Sequence, residues 1–440
     1  MDFLPLWMFV ALFGLLFLGY PVAFTIGALA VFFGWIGFGL GFFSLLPLRI
    51  WGVMTNFTVV AVPMFVFMGV MLERSGLAED LLETMAVLFG PLRGGLSIAV
   101  VVVGALLAAS TGIVGATTVT MGLLALPTML RRRYSPEIAT GTIAASGTLG
   151  QIIPPSIVLV ILGDIMGLPI GDLFMGAVVP GLVLVGLYLL FIVGVGLARP
   201  EAMPLLREEE RVALSPGELA VRVMKSLVPP LFLMLAVLGS IFAGVASPTE
   251  ASAMGALCSM LLAWARGKLD LATLRMVMRA TTRLTSMVFI ILVGATTFGL
   301  VFRGLGGDDL VRGFIRWIPY GKWGALTIVM LVLFVAGFFL DFIEITFIHV
   351  PVLAPLMAHL GFDPLWFAVL IAVNLQTSFL TPPFGYALFY LKSVAPQGVT
   401  TGHIYRGIVP FVALQLVGLA LVILFPEMVL WLPRAVFGGR

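Results

Sequence analysis

Charged residues are scarce in this chain of 440 residues: they make up 10% of it, whereas soluble globular domains carry about 25%. Hydrophobic residues make up 61%. Apolar runs such as 95 to 109, 172 to 197, 227 to 244 and 405 to 425 lack the period of a soluble amphipathic helix, and many approach the ~20 residues that span a bilayer. The composition therefore excludes an ordinary soluble domain and predicts an all-α integral membrane protein.

Cysteine and histidine are equally rare. The single cysteine, Cys258, excludes an intramolecular disulfide and a CxxC metal site, and its apolar surroundings indicate a small packing residue. The three histidines lack the spacing of metal ligands, and no GxSxG, Walker A or HExxH pattern occurs. We therefore expect no enzyme activity and no cofactor. We attribute the net charge of +3 to membrane topology and not to nucleic-acid binding.

Two proline pairs indicate an internal repeat. Pro154-Pro155 in "GQIIPPS" and Pro382-Pro383 in "FLTPPFG" are 228 residues apart. This offset predicts a first repeat over 1–200, a cytoplasmic linker and amphipathic arm over 201–226, and a second repeat over 227–440. Four further pairs have nearly the same offset: Pro127 and Pro355, Thr118 and Thr346, Leu81 and Leu310, and Pro21 and Pro248.

Each half is predicted to contain a re-entrant hairpin followed by a broken helix. In the first half, helices 95 to 109 and 117 to 130 have about 14 residues each, or about 21 Å, which is short for the ~30 Å hydrocarbon core. Their tip, Ser110 to Thr118, is too small and polar to face lipid. The hairpins are placed at about 95–130 and 322–360, and the broken helices at about 136–166 and 363–395.

A re-entrant hairpin returns to its own side of the membrane, so each half has five crossings and the second half is inverted. With the amino terminus outside, most of the 24 Lys and Arg residues fall in inner loops, as the positive-inside rule requires. The first 20 residues begin with Asp2 and lack a basic n-region and a cleavage site. We therefore expect them to form the first transmembrane helix and not a removable signal peptide.

The irregular segments are the candidate functional sites. Paired interrupted helices in inverted repeats indicate a secondary transporter, because non-helical backbone at membrane depth must be buried in protein or line a cavity. Proline disfavours helix in the preceding residue, so Ile153 and Thr381 are expected to be extended and several carbonyls to lose their donors. These carbonyls and the nearby hydroxyls suit sodium, because neither break contains histidine or cysteine. The helix amino termini after the breaks suit a carboxylate substrate.

Structural alternatives stay open for these features. A single proline commonly only kinks a transmembrane helix, although two matched pairs beside Ser, Thr, Asn and Gln favour a functional role. Asp341 and Glu344 lie one helical turn apart near the second hairpin tip, and an intramembrane carboxylate is a functional candidate. Their alternative role is to cap the tip or to pair with a basic group.

Several stretches resemble the large membrane subunit of the tripartite ATP-independent periplasmic (TRAP) transporters: "STGIVGATT", "ASGTLGQIIPPS", "DFIEITFIHVPVLAPLM" and "VNLQTSFLTPPFG". The resemblance covers essentially the whole chain. It implies an elevator-type permease of the bacterial inner membrane, driven by a sodium gradient and fed by a periplasmic substrate-binding protein. It also implies a small four-helix membrane subunit. Because the chain starts directly with the first large-subunit helix, we expect that subunit to be a separate polypeptide.

The resemblance implies two sodium sites, each built from a hairpin tip and the facing helix break. The first comprises Ser110, Thr111, Gly112, Thr117, Ser146, Gly147 and Thr148. The second comprises Asp341, Glu344, Asn374, Gln376, Thr377, Ser378 and Thr381. The substrate is expected to contact Gln151, Pro154, Pro155, Ser156, Pro382 and Pro383.

The expected substrate is a small organic acid. The segments "FIEIT" and "LQTSFLTPPFG" resemble those of the family branch associated with mannitol or chloroaromatic compounds and with 2-oxo or hydroxy acids. Neither break contains an arginine, so helix termini, hydroxyls and bound sodium are expected to hold a substrate carboxylate. Two alternatives remain: a stand-alone sodium symporter of the divalent-anion type, which needs no binding protein, and an ion channel.

Overall fold

The computed structural model describes residues 3–112, 114–205, 215–316, 319 and 321–438, and this part of the chain contains helices but no β-strand. The predicted all-α fold is therefore confirmed. The helices of the first half are α1 (Leu4–Phe17), α2 (Val22–Phe38), α3 (Leu46–Met54), α4 (Ala61–Arg74), α5 (Leu77–Leu88), α6 (Gly95–Thr111), α7 (Val114–Arg131), α8 (Pro136–Thr148), α9 (Ile157–Met166) and α10 (Ile170–Ala198). Those that follow are α11 (Pro216–Phe242), α12 (Pro248–Ala265), α13 (Leu271–Gly304), α14 (Gly307–Arg316), α15 (Gly321–Ala336), α16 (Phe342–His359), α17 (Pro364–Leu380), α18 (Tyr386–Val394), α19 (Thr401–Leu424) and α20 (Glu427–Phe437).

Several of these helices suit a bilayer. Within the described residues, six helices are long and apolar enough to cross a membrane, and the bent pair of α3 and α4 raises this number to seven. The six are Val22–Ser44, Ile170–Ala198, Pro216–Phe242, Leu271–Gly304, Phe342–His359 and Thr401–Leu424. Their length and composition are those of a multi-pass membrane protein.

The amphipathic arm predicted from the sequence is continuous with the span that follows it. Residues 206–214 of the predicted linker 201–226 lie outside the described residues, and α11 then begins at Pro216 and runs well past residue 226. Its start is fixed by a capping box, in which the Ser215 hydroxyl accepts from the Glu218 amide. The helix α13 likewise joins an arginine-containing first part to an apolar second part, because no proline or glycine occurs between Leu271 and Val293.

The first hairpin has longer helices than the sequence predicted. The helix α6 has 17 residues and α7 has 18, so the predicted tip from Ser110 to Thr118 is mostly helical. Only Gly112 is described between the two helices, and residue 113 lies outside the described residues. Gly112 has a φ of 62°, in the left-handed region that glycine adopts at little cost. In the corresponding part of the second half, α15 and α16 are separated by Gly337 to Asp341.

Each Pro-Pro pair interrupts a helix. The helix α8 ends at Thr148, a short 3₁₀ turn covers Leu149–Gln151, and α9 begins at Ile157. In the second half α17 ends at Leu380 and α18 begins at Tyr386. Thr381 has φ −87° and ψ 124°, which confirms the extended conformation predicted for the residue before Pro382.

The broken helices form the centre of the molecule. All of α17 from Trp366 to Leu380 is buried, as is the run from Ala139 to Gln151. Glycine allows α8 and α19 to touch: a Cβ added to Gly407 would lie 2.1 Å from the carbonyl oxygen of Glu137. A second group of helices packs through α2 and α13, where a Cβ on Gly294 would lie 3.2 Å from the Ala23 carbonyl oxygen.

Candidate functional site

The two helix breaks meet at the centre through equivalent residues. The side-chain amide Nε2 of Gln376 donates to Thr148 Oγ1 at 3.4 Å, and the two residues are 228 positions apart. Both side chains are fully buried. Thr148 Oγ1 in turn donates to the Ala145 carbonyl at 2.9 Å. The last turns of α8 and α17 before the breaks therefore face each other directly.

The first hairpin lies against the first break with almost no space between them. A Cβ on Gly147 would lie 2.2 Å from Thr118 Oγ1, and a Cβ on Gly104 would lie 2.6 Å from the Cβ of Ser146. A Cβ on Gly112 would lie 3.1 Å from the amide nitrogen of Ile157, the first residue of α9. Small residues thus bring the hairpin tip to both ends of the break.

Five of the seven residues predicted for the first site can be placed. Gly112, Ser146, Gly147 and Thr148 lie at this contact, and Thr117 is buried in the first turn of α7. Ser146 Oγ donates to the Ile143 carbonyl at 3.0 Å. Ser110 and Thr111 complete α6, and their side chains lie outside the described part of the chain.

The second break is held to α15 by two side-chain hydrogen bonds. Asn374 Nδ2 donates to the Met330 carbonyl at 2.8 Å, and Ser378 Oγ donates to the Phe334 carbonyl at 2.6 Å. A Cβ on Gly337 would lie 2.4 Å from Ser378 Oγ, so the start of the second tip rests on α17. The hydroxyls of Thr377 and Thr381 donate to helix carbonyls, which leaves their oxygen lone pairs free to accept or to ligate.

Asp341 and Glu344 cap the start of α16. Asp341 Oδ1 accepts from the Phe342 amide at 2.8 Å, and Glu344 Oε2 accepts from the Asp341 amide at 3.0 Å. The capping role considered from the sequence is therefore present. Across the residues that the structure describes, neither carboxylate forms an ion pair with a basic side chain, and both are half-buried. Two adjacent carboxylates without a cationic partner form a site that favours a cation.

Two threonines that the sequence analysis left out of the site have buried hydroxyls without a partner. Thr118 and Thr346 are fully buried, and neither Oγ1 forms a hydrogen bond. Unpartnered buried polar groups are uncommon and call for an explanation, such as a bound ion or an ordered water at each hydroxyl. The repeat alignment had paired these two threonines, and that pairing was the sequence signal that could have identified them.

Further polar side chains lie near the contact between the breaks. The Tyr188 hydroxyl approaches the side-chain amides of Gln376 and Gln415, and all three residues are buried. Gln151, at the first break, is also fully buried, and neither atom of its amide forms a hydrogen bond. The centre is thus rich in oxygen and amide groups although apolar helices enclose it.

The two breaks differ in exposure. Of the predicted substrate contacts, Gln151, Pro154, Pro155 and Ser156 are buried, and Ser156 Oγ donates to the Gln151 carbonyl at 2.9 Å. In the second break Pro382 is half-buried and Pro383 is exposed, as is the neighbouring Phe384. Tyr405 donates its hydroxyl to the Pro383 carbonyl at 2.8 Å. The second break is therefore the more exposed of the two.

The donor atoms at the centre suit a hard cation. Among the described residues no group of three or more His, Cys, Asp and Glu side chains lies close enough to hold a metal ion. The available ligands are hydroxyl, amide, carboxylate and backbone oxygens. Such oxygens suit sodium, whereas zinc and copper prefer nitrogen and sulfur ligands.

These features are those of a polytopic membrane protein with paired helix breaks, and comparison with known proteins identifies its family. Residues 9–428 match the family model of the DctM component of the tripartite ATP-independent periplasmic transporters. The chain belongs to this family, as the sequence resemblance predicted.

Individual relatives agree with this assignment. The C4-dicarboxylate TRAP transporter large permease protein DctM of Pseudomonas aeruginosa is 31% identical over 88% of this chain and 89% of its own length. The sialic acid TRAP transporter large permease protein SiaM of Vibrio cholerae is 29% identical over 97% of each chain. Among solved structures, the YdaH transporter of Alcanivorax borkumensis is similar with a TM-score of 0.65 and 15% identity, covering 92% of this chain and 96% of that one. This last similarity shows the fold alone.

Proposed function

We propose that this chain is the membrane permease of a sodium-driven importer for a small organic acid. The observation that carries the proposal is the meeting of the buried helix ends before the two breaks, each packed against a hairpin whose second helix carries a buried hydroxyl without a hydrogen-bond partner. Asp341 and Glu344 add negative charge that no basic side chain of the described residues balances. A bound sodium ion would satisfy both the oxygen atoms and the charge.

We expect the substrate carboxylate to bind beside these sodium ions. The Ile157 amide at the start of α9 lies close to Gly112 at the tip of the first hairpin. A helix amino terminus attracts anions, and an adjacent sodium ion strengthens this attraction. Substrate binding therefore depends on sodium without any arginine in the breaks. The names of the two relatives include a C4-dicarboxylate and sialic acid, and both compounds are organic acids.

Membership of the TRAP transporter family supports two partner proteins for this chain. We propose that a periplasmic binding protein delivers the substrate and that a separate small four-helix subunit accompanies this chain in the bacterial inner membrane. The two halves are inverted, with the amino terminus outside. The hairpins and broken helices move together as an elevator against the helices around α2 and α13.

The decisive experiment is uptake in proteoliposomes. The ligand of the cognate binding protein is first identified by a thermal-shift screen of organic acids. Its radiolabelled form is then supplied with the binding protein to vesicles containing this chain and the small subunit. We expect uptake only with an inward sodium gradient, and none with potassium in its place.

The alternatives give different results in the same experiment. Uptake that saturates with substrate but needs no binding protein would indicate a stand-alone symporter. Conductance without saturable counterflow would indicate a channel. Uptake that ignores the sodium gradient would refute the sodium coupling proposed here.

A further inference from the structure

The helix α13 is much longer than a bilayer core is thick. Its 34 residues measure about 51 Å at 1.5 Å per residue, against ~30 Å for the hydrocarbon core. Gly294 of α13 lies against Ala23 near the start of α2, and Gly304 lies against Phe38 at its end. The two helices therefore run parallel, and the first turns of α13 extend beyond the point where α2 begins.

This extension has an arginine face. Arg275, Arg279 and Arg283 are spaced by four residues, so they lie on one side of the helix. All three are exposed, whereas Val277 and Val288 on the opposite side are buried. The same side includes the exposed hydroxyl residues Thr282 and Ser286. We call this surface, made of these three arginines and two hydroxyl residues, the arginine face.

The arginine face has no acidic partner in the structure. The helix α13 contains no Asp or Glu at all. Two other arginines in this region are paired, since Arg222 bonds to Glu83 at 2.8 Å and Arg266 bonds to Asp80. No ion pair of the described residues involves the three arginines of the face. Like charges four residues apart on a helix repel one another, so a bound anion would relieve this repulsion.

The surroundings of the arginine face favour a lipid over a free ion. Towards the carboxyl end of α13, the exposed side chains change from arginine to Met287 and Ile290. The change from cationic to apolar side chains follows the order of headgroup and acyl chain in a phospholipid. The guanidinium group also forms paired hydrogen bonds with phosphate, and basic residues at a helix end attract anionic lipid.

We propose that the arginine face binds the phosphate groups of anionic phospholipids, with their acyl chains along Met287 and Ile290. In the topology proposed above, this surface lies at the cytoplasmic leaflet. Bound lipid fixes the depth of α13 in the membrane, because the headgroups are held at one level. The proposal does not depend on sodium coupling or on the substrate.

The test measures lipid binding to the purified full-length chain. Delipidated protein is titrated with palmitoyl-oleoyl phosphatidylglycerol or with the matching phosphatidylcholine, and the bound lipid is counted by native mass spectrometry. We expect the wild type to retain phosphatidylglycerol preferentially. The triple variant R275Q/R279Q/R283Q should lower the apparent affinity for phosphatidylglycerol by at least about tenfold and leave phosphatidylcholine unchanged.

Two control variants separate a site from bulk charge and from misfolding. The variant R93Q/R131Q/R133Q removes three exposed arginines at the base of the first hairpin, and it should keep the preference. The variant R275K/R279K/R283K keeps the charge and should also retain a preference for phosphatidylglycerol.

Three results would overturn the proposal: a wild type that does not distinguish the two lipids, an equal loss in both glutamine variants, or loss of the preference in the lysine variant. Displacement of phosphatidylglycerol by the purified small subunit, with subunit binding lost in R275Q/R279Q/R283Q, would assign the face to that protein instead.

Discussion

The hydroxyls of Thr118 and Thr346 are the most informative single groups of the two hairpins. Each is fully buried and without a hydrogen-bond partner, although such a hydroxyl normally finds one. Each also lies on the second helix of its hairpin, α7 or α16. The sodium ion proposed above would account for both the burial and the missing partner.

Replacing either threonine by valine should weaken sodium activation. Valine has nearly the same shape but no oxygen, so T118V and T346V remove one ligand each. A hydrogen bond or contact to a charged group contributes about 1.5–3 kcal/mol, which corresponds to a loss of about tenfold or more in apparent sodium affinity. The sodium dependence of the initial uptake rate measures this loss.

Thr327 provides the matched control for these variants. It lies on α15, is exposed, and donates its hydroxyl to the Trp323 carbonyl at 2.9 Å. T327V should leave the sodium dependence unchanged. An unchanged sodium dependence in both T118V and T346V would remove these hydroxyls from the ion sites.

The sequence predicted the region of the first candidate site but did not include the threonine that lies against the break. The family resemblance indicated Thr117, whereas the neighbouring Thr118 lies against Gly147 of the break. Adjacent residues of a helix point about 100° apart. Which of the two faces the break depends on how α7 is rotated, and packing against α8 sets that rotation.

Among the elements, α8 and α19 pack backbone against backbone. A Cβ on Gly141 would lie 2.2 Å from the carbonyl oxygen of Gly407, and a Cβ on Gly407 would lie 2.1 Å from that of Glu137. These contacts are with backbone atoms, which no side-chain rotation relieves. The first half of the broken helix and α19 are therefore expected to move as one body.

Alanine at Gly407 should separate these two helices and destabilise the protein. Overpacking typically costs about 1–3 kcal/mol, so the unfolding temperature of G407A in detergent should fall by several degrees. The control is G186A in α10, where an added Cβ meets nothing within 4 Å. G186A should be neutral or slightly stabilising, since alanine favours helix. Equal unfolding temperatures for G407A and wild type would contradict the tight contact.

Sequence reasoning located the helix breaks better than the helix ends. A Pro-Pro pair acts directly on the backbone, so both interruptions were predictable. The start of α11 at Pro216 and the continuity of α13 were not predicted, because an amphipathic stretch and an apolar span can belong to one helix. A change in hydrophobic pattern marks a change of environment, whereas capping residues and proline or glycine mark the ends of a helix.

At the scale of the whole molecule, the inverted arrangement of the two halves can be tested by labelling. Arg93 precedes the first hairpin and Lys322 lies at the start of the second, and both are exposed. In a C258S background, K322C should react with a membrane-impermeant maleimide added to intact spheroplasts. R93C should react only after the membrane is permeabilised. Equal labelling of both cysteines from one side would exclude inversion.

The unequal exposure of the two breaks has a consequence for the transport cycle. Under the proposed inverted repeat, each half has the sequence elements to adopt the conformation of the other. The arrangement in which Pro154 is open to the surface and Pro383 is buried is then the mirror-related counterpart of the present one. The present conformation of this chain therefore indicates a second one, in which the substrate site is open to the opposite side of the membrane.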